Sequence, residues 1–300
     1  MILVTGGSGL VGRAVVKELT AKGLRVRCLV RDTVKARSVL GEGPEIAQGD
    51  VTNYESTLRA MKGVEGVVHL VAVIRERGAQ TFERVNVEGT ANAVRAAAVT
   101  GVRRFIHMSA LGAKEGRAYP YSHSKWQAEE IVRKSGLNWT VIRPSLVYGP
   151  GFGFFNRMAQ SIRFSPPPFA VYPAGRTRFQ PIAAHDVARC VAAALKDPRF
   201  IHQTCDIGGP EHLTYREMLD IFLGIHRIRR IKLPVPVGLL RLVVPVMEKL
   251  LPDAPVSLVE LKLMDFDNIT DLDAVKKQFG FEPVRLREGL AETFHFAGNR

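Results

Sequence analysis

Tyr121 and Lys125 stand four residues apart, so on a helix both side chains leave one face and reach a common ligand. A phenol ionises near pH ~10 and is a weak proton donor or acceptor at neutrality; an ammonium beside it favours phenolate and lowers that value. Such a pair is an acid–base device or, without turnover, a clamp for a bound cofactor. A second constellation opens the chain, Thr5-Gly6-Gly7-Ser8-Gly9-Leu10-Val11-Gly12. At a strand-to-helix turn the first glycine of such a series allows the tight bend, the second lets backbone approach a pyrophosphate, and the third permits close helix packing. Free N–H groups at the helix start then face the diphosphate along the helix dipole. A third group, Val30-Arg31-Asp32, offers both choices of dinucleotide: a carboxylate for the ribose 2′-hydroxyl of NAD(H), a guanidinium for the 2′-phosphate of NADP(H). Arg31 comes first and matches phosphate with paired hydrogen bonds, so NADP(H) is favoured over NAD(H). The other reading makes Arg31 an ordinary surface residue and Asp32 the cap of the next helix.

Positioning these residues takes alternating strands and helices. Apolar runs recur at Ile2–Val4, Leu24–Val30, Val67–Val73, Phe105–Met108 and Trp139–Ile142. Between them Gly12–Ala21, Tyr54–Met61, Asn86–Val99 and Ser122–Ser135 carry helical periodicity. Near-continuous apolar strands suit a parallel sheet covered on both faces, so the expectation is an α/β fold, a doubly wound parallel Rossmann sheet with a smaller C-terminal lobe. His69 and His107 fall within or at the ends of apolar strands and read as structural histidines, while His123 points off the Tyr121–Lys125 face. Past Pro150 the alternation breaks at Gly151–Phe155 and Pro166-Pro167-Pro168. It returns at Gln180–Leu195, read as a sheet-covering helix, and at Thr204–Ile207, read as a strand. The expected division is 1–150 plus about 179–208 for the dinucleotide-binding body, and 151–178 plus 209–300 for a lobe that meets substrate or partner.

With 300 residues, 46% hydrophobic and 24% charged, the chain has the composition of a globular protein. The net charge of +13 suits an anionic partner, yet the basic residues are spread and no nucleic-acid-binding motif surrounds them, so nucleic acid is not expected. Cys28, Cys190 and Cys205 lie far apart without metal-ligand spacing, which indicates neither a metal site nor a disulfide framework. Met1–Thr5 reads directly as a strand, not a signal peptide, so a cytoplasmic location is expected. Leu233–Leu251 is the most apolar stretch, but Pro234, Pro236, Pro245, Arg241, Glu248 and Lys249 interrupt it, and a span needs about 20 uninterrupted apolar residues. Drawn as one helix, its wide apolar face must be buried. The burial is either inside the lobe or against a partner or the inner face of a membrane, helped by the basic run Arg227–Lys232.

The spacing GxxGxxG resembles the short-chain dehydrogenase/reductase superfamily, especially its extended and atypical branches. Gly49-Asp50-Val51 looks like that superfamily's acidic residue for the adenine amino group, His69-Leu70-Val71-Ala72 like its fourth-strand segment lining the cofactor, and Asn86-Val87-Glu88-Gly89-Thr90 like its NVxGT helix start. The resemblance implies that Tyr121 is the acid or base, that Lys125 also holds the nicotinamide ribose, and that Ser109 polarises a substrate carbonyl. It further implies that Arg143-Pro144-Ser145-Leu146-Val147-Tyr148-Gly149-Pro150 lines the nicotinamide end through backbone, Pro144, Ser145 and Val147 included. Pro181-Ile182-Ala183-Ala184-His185-Asp186-Val187-Ala188 is similar to another family segment, with His185 in place of its first aspartate.

The tail, Asp265-Phe266-Asp267-Asn268, Phe279-Gly280-Phe281-Glu282-Pro283 and Leu286-Arg287-Glu288-Gly289-Leu290, resembles the branch of the nucleotide-binding accessory subunit of respiratory complex I. That resemblance implies one of three roles. The first is an NADP(H)-dependent oxidoreductase acting on a small hydrophobic carbonyl or quinone-type substrate. The second is a non-catalytic accessory or assembly protein of a respiratory or quinone-biosynthesis complex, and the third a nucleotide-sugar epimerase or dehydratase. The branch often has a degraded catalytic triad, whereas this chain keeps Ser109, Tyr121 and Lys125.

Overall fold

The computed structural model describes residues 1–150, 153–250 and 256–293. From the N-terminus run Ile2–Thr5 (β1), Leu10–Ala21 (α1), Val26–Val30 (β2), Thr33–Leu40 (α2), Glu45–Gln48 (β3), Tyr54–Met61 (α3) and Gly66–His69 (β4). A π-helical segment, Phe82–Glu88, leads into Gly89–Val99 (α4), then Arg104–Met108 (β5), Pro120–Arg133 (α5) and Trp139–Pro144 (β6). Next come Val147–Tyr148 (β7), Phe154–Phe164 (α6), Phe169–Ala174 (β8), Arg178–Phe179 (β9), Ile182–Ala183 (β10), Ala184–Lys196 (α7) and Gln203–Ile207 (β11). The remainder holds Leu213–Thr214 (β12), Tyr215–Ile225 (α8), Ile231–Pro236 (β13), Val237–Leu250 (α9), Leu258–Leu263 (α10), Ala274–Phe279 (α11) and Leu286–Thr293 (α12).

The chain divides into two compact units, Met1–Pro144 with Ala184–Ile207, and Ser145–Ala183 with Gly208–Arg300. The first unit is built on a sheet of order β11-β6-β5-β4-β1-β2-β3 in which every pairing is parallel. It is the doubly wound α/β sheet expected from the alternation. Strand order reverses between β1 and β4, so their carboxyl ends, Thr5 beside His69 in register, form the switch point where such sheets bind ligands. α1 and α7 pack together, as do α3 with α4 and α4 with α5. Leu3, Met61, Val67, Ala93, Phe105 and Val141 belong to one buried cluster.

The second unit has its own core around Phe155, Met158, Tyr172, Met218 and Phe222. Its strands pair in twos, β10 with β7, β12 with β9 and β13 with β8. The units change over at Pro144, Ala183 and Ile207, where the sequence suggested boundaries near 150, 179 and 208. Gln180–Leu195 is not one helix: Ile182–Ala183 is strand β10, and α7 starts at Ala184. Leu233–Leu251 is not one helix either. Its first residues belong to β13, where Pro234 and Pro236 sit in a two-stranded ribbon that tolerates residues lacking an N–H; Leu251 lies outside the described residues. Burial of this stretch inside the lobe, the first of the two alternatives, fails as well, since Val244 is the one buried residue of α9.

Candidate functional site

The glycine turn lies at the switch point. Gly6 has φ +74°, a left-handed conformation that L side chains adopt only with strain. A Cβ there would also stand 3.2 Å from Val71 Cγ2 and 3.3 Å from Val71 N, so Val71 is packed directly on the turn, with exposed Ala72 next in the loop. Gly12 is tighter still: a Cβ would meet Gly7 Cα at 2.7 Å and overlap the Gly6 carbonyl. Gly9 N donates to Gly6 O at 3.0 Å and Arg13 N to Gly9 O at 3.0 Å. α1 begins at Leu10 with Gly9 as cap, no side chain capping it and no acid in its first turn. Ser8, Leu10 and Val11 are partly exposed there. This is a cradle of backbone with the helix dipole's positive end uncovered, suited to a diphosphate.

At the end of β2, Asp32 caps α2, its Oδ1 accepting from Lys35 N at 2.9 Å. Arg31 is exposed and has no hydrogen bond or ion pair among the described residues. Asp32 is thus the helix cap that one of the two sequence alternatives has it be, and Arg31 is an exposed cation. After β3, Asp50 Oδ1 accepts from Thr52 N at 2.9 Å and Asp50 N donates to Ser56 Oγ at 3.1 Å. Val51 is buried and its carbonyl receives Asn92 Nδ2 at 2.9 Å.

The β5 end and α5 hold the candidate catalytic residues. Ser109 N donates to Ile142 O at 2.8 Å, fixing the backbone, while its buried Oγ has no partner among the described residues. Lys125 is fully buried and its Nζ donates to Met108 O at 2.7 Å, next to Ser109. Burial lowers its pKa to about 8, against an opposing pull from Glu129. Tyr121, half-buried, sits one turn earlier with its ring edge-on to Phe82 at 6.0 Å. Burial of the phenol pushes its pKa up to about 12. The lowering that Lys125 was expected to cause does not offset this burial. Asn86, also buried, closes the back of this group, accepting from Val73 N at 2.8 Å and donating to Val73 O at 3.1 Å and Ser124 Oγ at 3.0 Å. Its side chain is thus a brace between the β4 loop and α5.

His69 bridges Thr5 Oγ1 at 2.9 Å and Thr90 Oγ1 at 3.2 Å, and burial, reinforced by Lys125, drops its pKa to about 3. It is the neutral structural histidine expected. His107 stacks on it, ring centroids 5.6 Å apart, and burial holds it far below the ordinary imidazole range. His123 stacks on Trp126 and accepts from Gly116 N at 3.3 Å. Pro144 closes β6 and accepts from Leu111 N at 2.9 Å. Ser145 and Val147 belong to the second unit. There the Ser145 hydroxyl is held by Asn268, 2.6 Å from Oδ1 and 2.7 Å from the backbone O, and accepts from Gln180 N at 3.2 Å. That side chain is therefore a strut of its own unit, and no cofactor contact is assigned to it.

Sequence reading missed Glu129. Its buried carboxylate takes two bonds from Arg143, 2.7 Å from Nε and 2.6 Å from a terminal nitrogen, and one from Arg133 at 2.7 Å. The network fixes α5 against β6 and supplies the negative field under Lys125. The signal was the Lys125/Glu129/Arg133 series at four-residue spacing.

The family described as NAD(P)H-binding matches residues 6–198. An NAD(P)H azoreductase of Xenophilus azovorans is 30% identical over 222 residues, 73% of this chain and 71% of that protein. A ceramide reductase of Caulobacter vibrioides is 33% identical over 165 residues, 54% of this chain, so the match spans about half of that relative, 52%. The mitochondrial 40 kDa subunit of NADH-ubiquinone oxidoreductase from Neurospora crassa is 25% identical over 298 residues, 98% of this chain and 77% of the subunit. The crystal structure of the NADPH-dependent quinone oxidoreductase QOR2 of Escherichia coli, complexed with NADPH, superposes with TM-score 0.78 at 17% identity, covering 97% of this chain and 99% of that one. At that identity it is similar in fold.

Proposed function

Because this chain belongs to the NAD(P)H-binding family, matched over residues 6–198, we propose that it is an NADPH-dependent reductase of a hydrophobic carbonyl or quinone-type compound. The observation that carries the reading is the unpartnered buried Oγ of Ser109 beside the buried ammonium of Lys125. A buried hydroxyl without a partner costs about 1–3 kcal/mol, and a substrate oxygen is the acceptor that would satisfy it.

The residues fit the cofactor on structural grounds, since the turn would not admit a Cβ at Gly6 or Gly12. Gly6 to Gly12 would hold the diphosphate, Arg31 the 2′-phosphate, Asp50 the adenine amino group, Val71 and Ala72 the adjoining wall, and Lys125 the nicotinamide ribose. When bound, the nicotinamide supplies a hydride. Ser109 Oγ donates a hydrogen bond to the substrate oxygen. Tyr121 is a neutral phenol at physiological pH, so its Oη carries the proton that this oxygen needs as it becomes a hydroxyl. Solvent then reprotonates Tyr121, and hydride plus proton balance the reduction of one carbonyl. Two of the relatives are named as reductases, which supports the reaction class.

The test is NADPH oxidation with a panel of quinones and lipophilic aldehydes, beside Tyr121→Phe. Turnover should fall by about 10²–10⁴-fold while NADPH binding is retained. No turnover by the unaltered protein on any substrate, or an undiminished Tyr121→Phe, sinks the reductase reading. One observation favours a second reading, a cofactor-binding accessory protein: burial holds the Tyr121 phenol near 12 and leaves it unactivated toward phenolate. NADPH binding without turnover is its signature.

A further inference from the structure

Among the described residues no helix is long and apolar enough to cross a membrane. α9 nevertheless exposes its apolar side. Leu239 is 52% exposed, Leu242 75%, Val243 46%, Val246 56% and Leu250 74%. At ~100° per residue these five positions, spaced i, i+3, i+4, i+7 and i+11, fall within an arc of about 100°. Arg241 and Glu248 lie outside that arc, and Val244 turns inward. A stripe of this kind faces a non-aqueous surface in most settings. The neighbouring strand β13 adds exposed Ile231 and Leu233, two residues apart and so on one strand face.

The charge beside the stripe selects the occupant. Arg227, Arg229 and Arg230 immediately precede β13, and none of their guanidinium groups has a hydrogen bond or ion pair among the described residues. Arg229 and Arg230, with Lys232, Pro168 and Leu223, line an open hollow of about 560 Å³. The one carboxylate lining it, on Asp220, is taken by Lys232 at 2.6 Å. We infer that this unit docks on an anionic lipid bilayer, with α9 lying in the headgroup–acyl boundary and the arginines meeting lipid phosphates. Interfacial helices combine an apolar face with flanking cations in this way, and clustered basic residues add attraction to an anionic leaflet. A 14-residue helix is too short to span and long enough to lie flat.

The full-length protein is sedimented with phosphatidylcholine vesicles, with and without phosphatidylglycerol, across a salt series. Beside it run the pairs Leu242→Glu/Val246→Glu and Arg229→Ala/Arg230→Ala, with thermal melting to confirm that these surface variants fold. The protein should pellet with anionic vesicles and be released by salt. The glutamate pair should weaken binding by at least ~10-fold, and each arginine removed should cost roughly fivefold. Absence of vesicle binding, equal binding to neutral vesicles, or binding unchanged by the glutamate pair overturns the inference. So does a dimer in solution that the glutamate pair converts to monomer, because a second copy would then cover the stripe.

Discussion

A lysine bonded to a backbone carbonyl is charged, oriented and occupied all at once. That is the state of Lys125 on Met108 O; Tyr121, one turn away, is a neutral phenol because its own burial holds its pKa near 12. In the reaction proposed above Tyr121 is the proton donor and Lys125 the anchor. Spacing alone made Tyr121 and Lys125 legible, because four residues is one helical turn. It could not show where Nζ bonds, since Met108 lies on another element. Arg31 is the opposite case: the sequence favoured it as the reader of the 2′-position, and the structure shows Asp32 capping α2 on Lys35 N with Arg31 exposed. Arg31→Ala should therefore weaken NADPH binding by about 10–100-fold, the value of a lost charge-assisted contact, and leave NADH unchanged. Fluorescence titration with both nucleotides measures it. An equal loss for the two would show that Arg31 does not read the 2′-phosphate.

Among the elements α5 is decisive, carrying Tyr121 and Lys125 on one face and Glu129 beneath. The π-helical turn Phe82–Glu88 packs beside it, setting Phe82 against the Tyr121 ring and Asn86 against Ser124. Wide π turns recur at functional sites because they re-aim side chains. The sequence placed this helix start at Asn86, since periodicity of 3.6 does not register a wider turn. α3 was legible to the residue from its periodicity, and in the structure Asn53 caps it on Ser56 N. β3, a polar edge strand of sequence Glu45-Ile46-Ala47-Gln48, has no apolar run to read. Glu129→Ala would leave Arg143 without its bidentate carboxylate, and breaking such a buried pair costs about 3–5 kcal/mol. Arg133→Ala removes only a partly exposed partner, since Arg143 still holds Glu129, and should cost about 1 kcal/mol or less. Urea melts of both variants give the ranking. Comparable losses would show that Arg143 does not carry the junction of α5 with β6.

For the whole molecule, each unit encloses its own core, and the chain changes over at Pro144, Ala183 and Ile207. The parallel sheet was legible because, β3 apart, its crossover helices separate apolar strands. The second unit was not, because its strands are mostly two-residue pairs such as Val147–Tyr148 with Ile182–Ala183, too short for any periodicity. The first unit's core also contains an acid-sensitive feature that stability measurements can read. His69 and His107 are stacked and buried, both below the ordinary imidazole value, His69 near 3. Between that value and about 6.5 the unfolded chain takes up protons that the folded chain refuses. Their contribution is therefore complete above pH ~6.5 and lost as pH falls, at up to about 1.4 kcal/mol per pH unit for each histidine. His107 has no hydrogen-bond partner among the described residues, so His107→Leu breaks no bond while removing one titrating group. Melting temperatures followed from pH ~7 to ~5, above the range where carboxylates dominate, should fall less steeply in His107→Leu than in the unaltered protein. Equal slopes would mean that His107 already binds a proton in the folded state, and with it that the end of β5 is solvated.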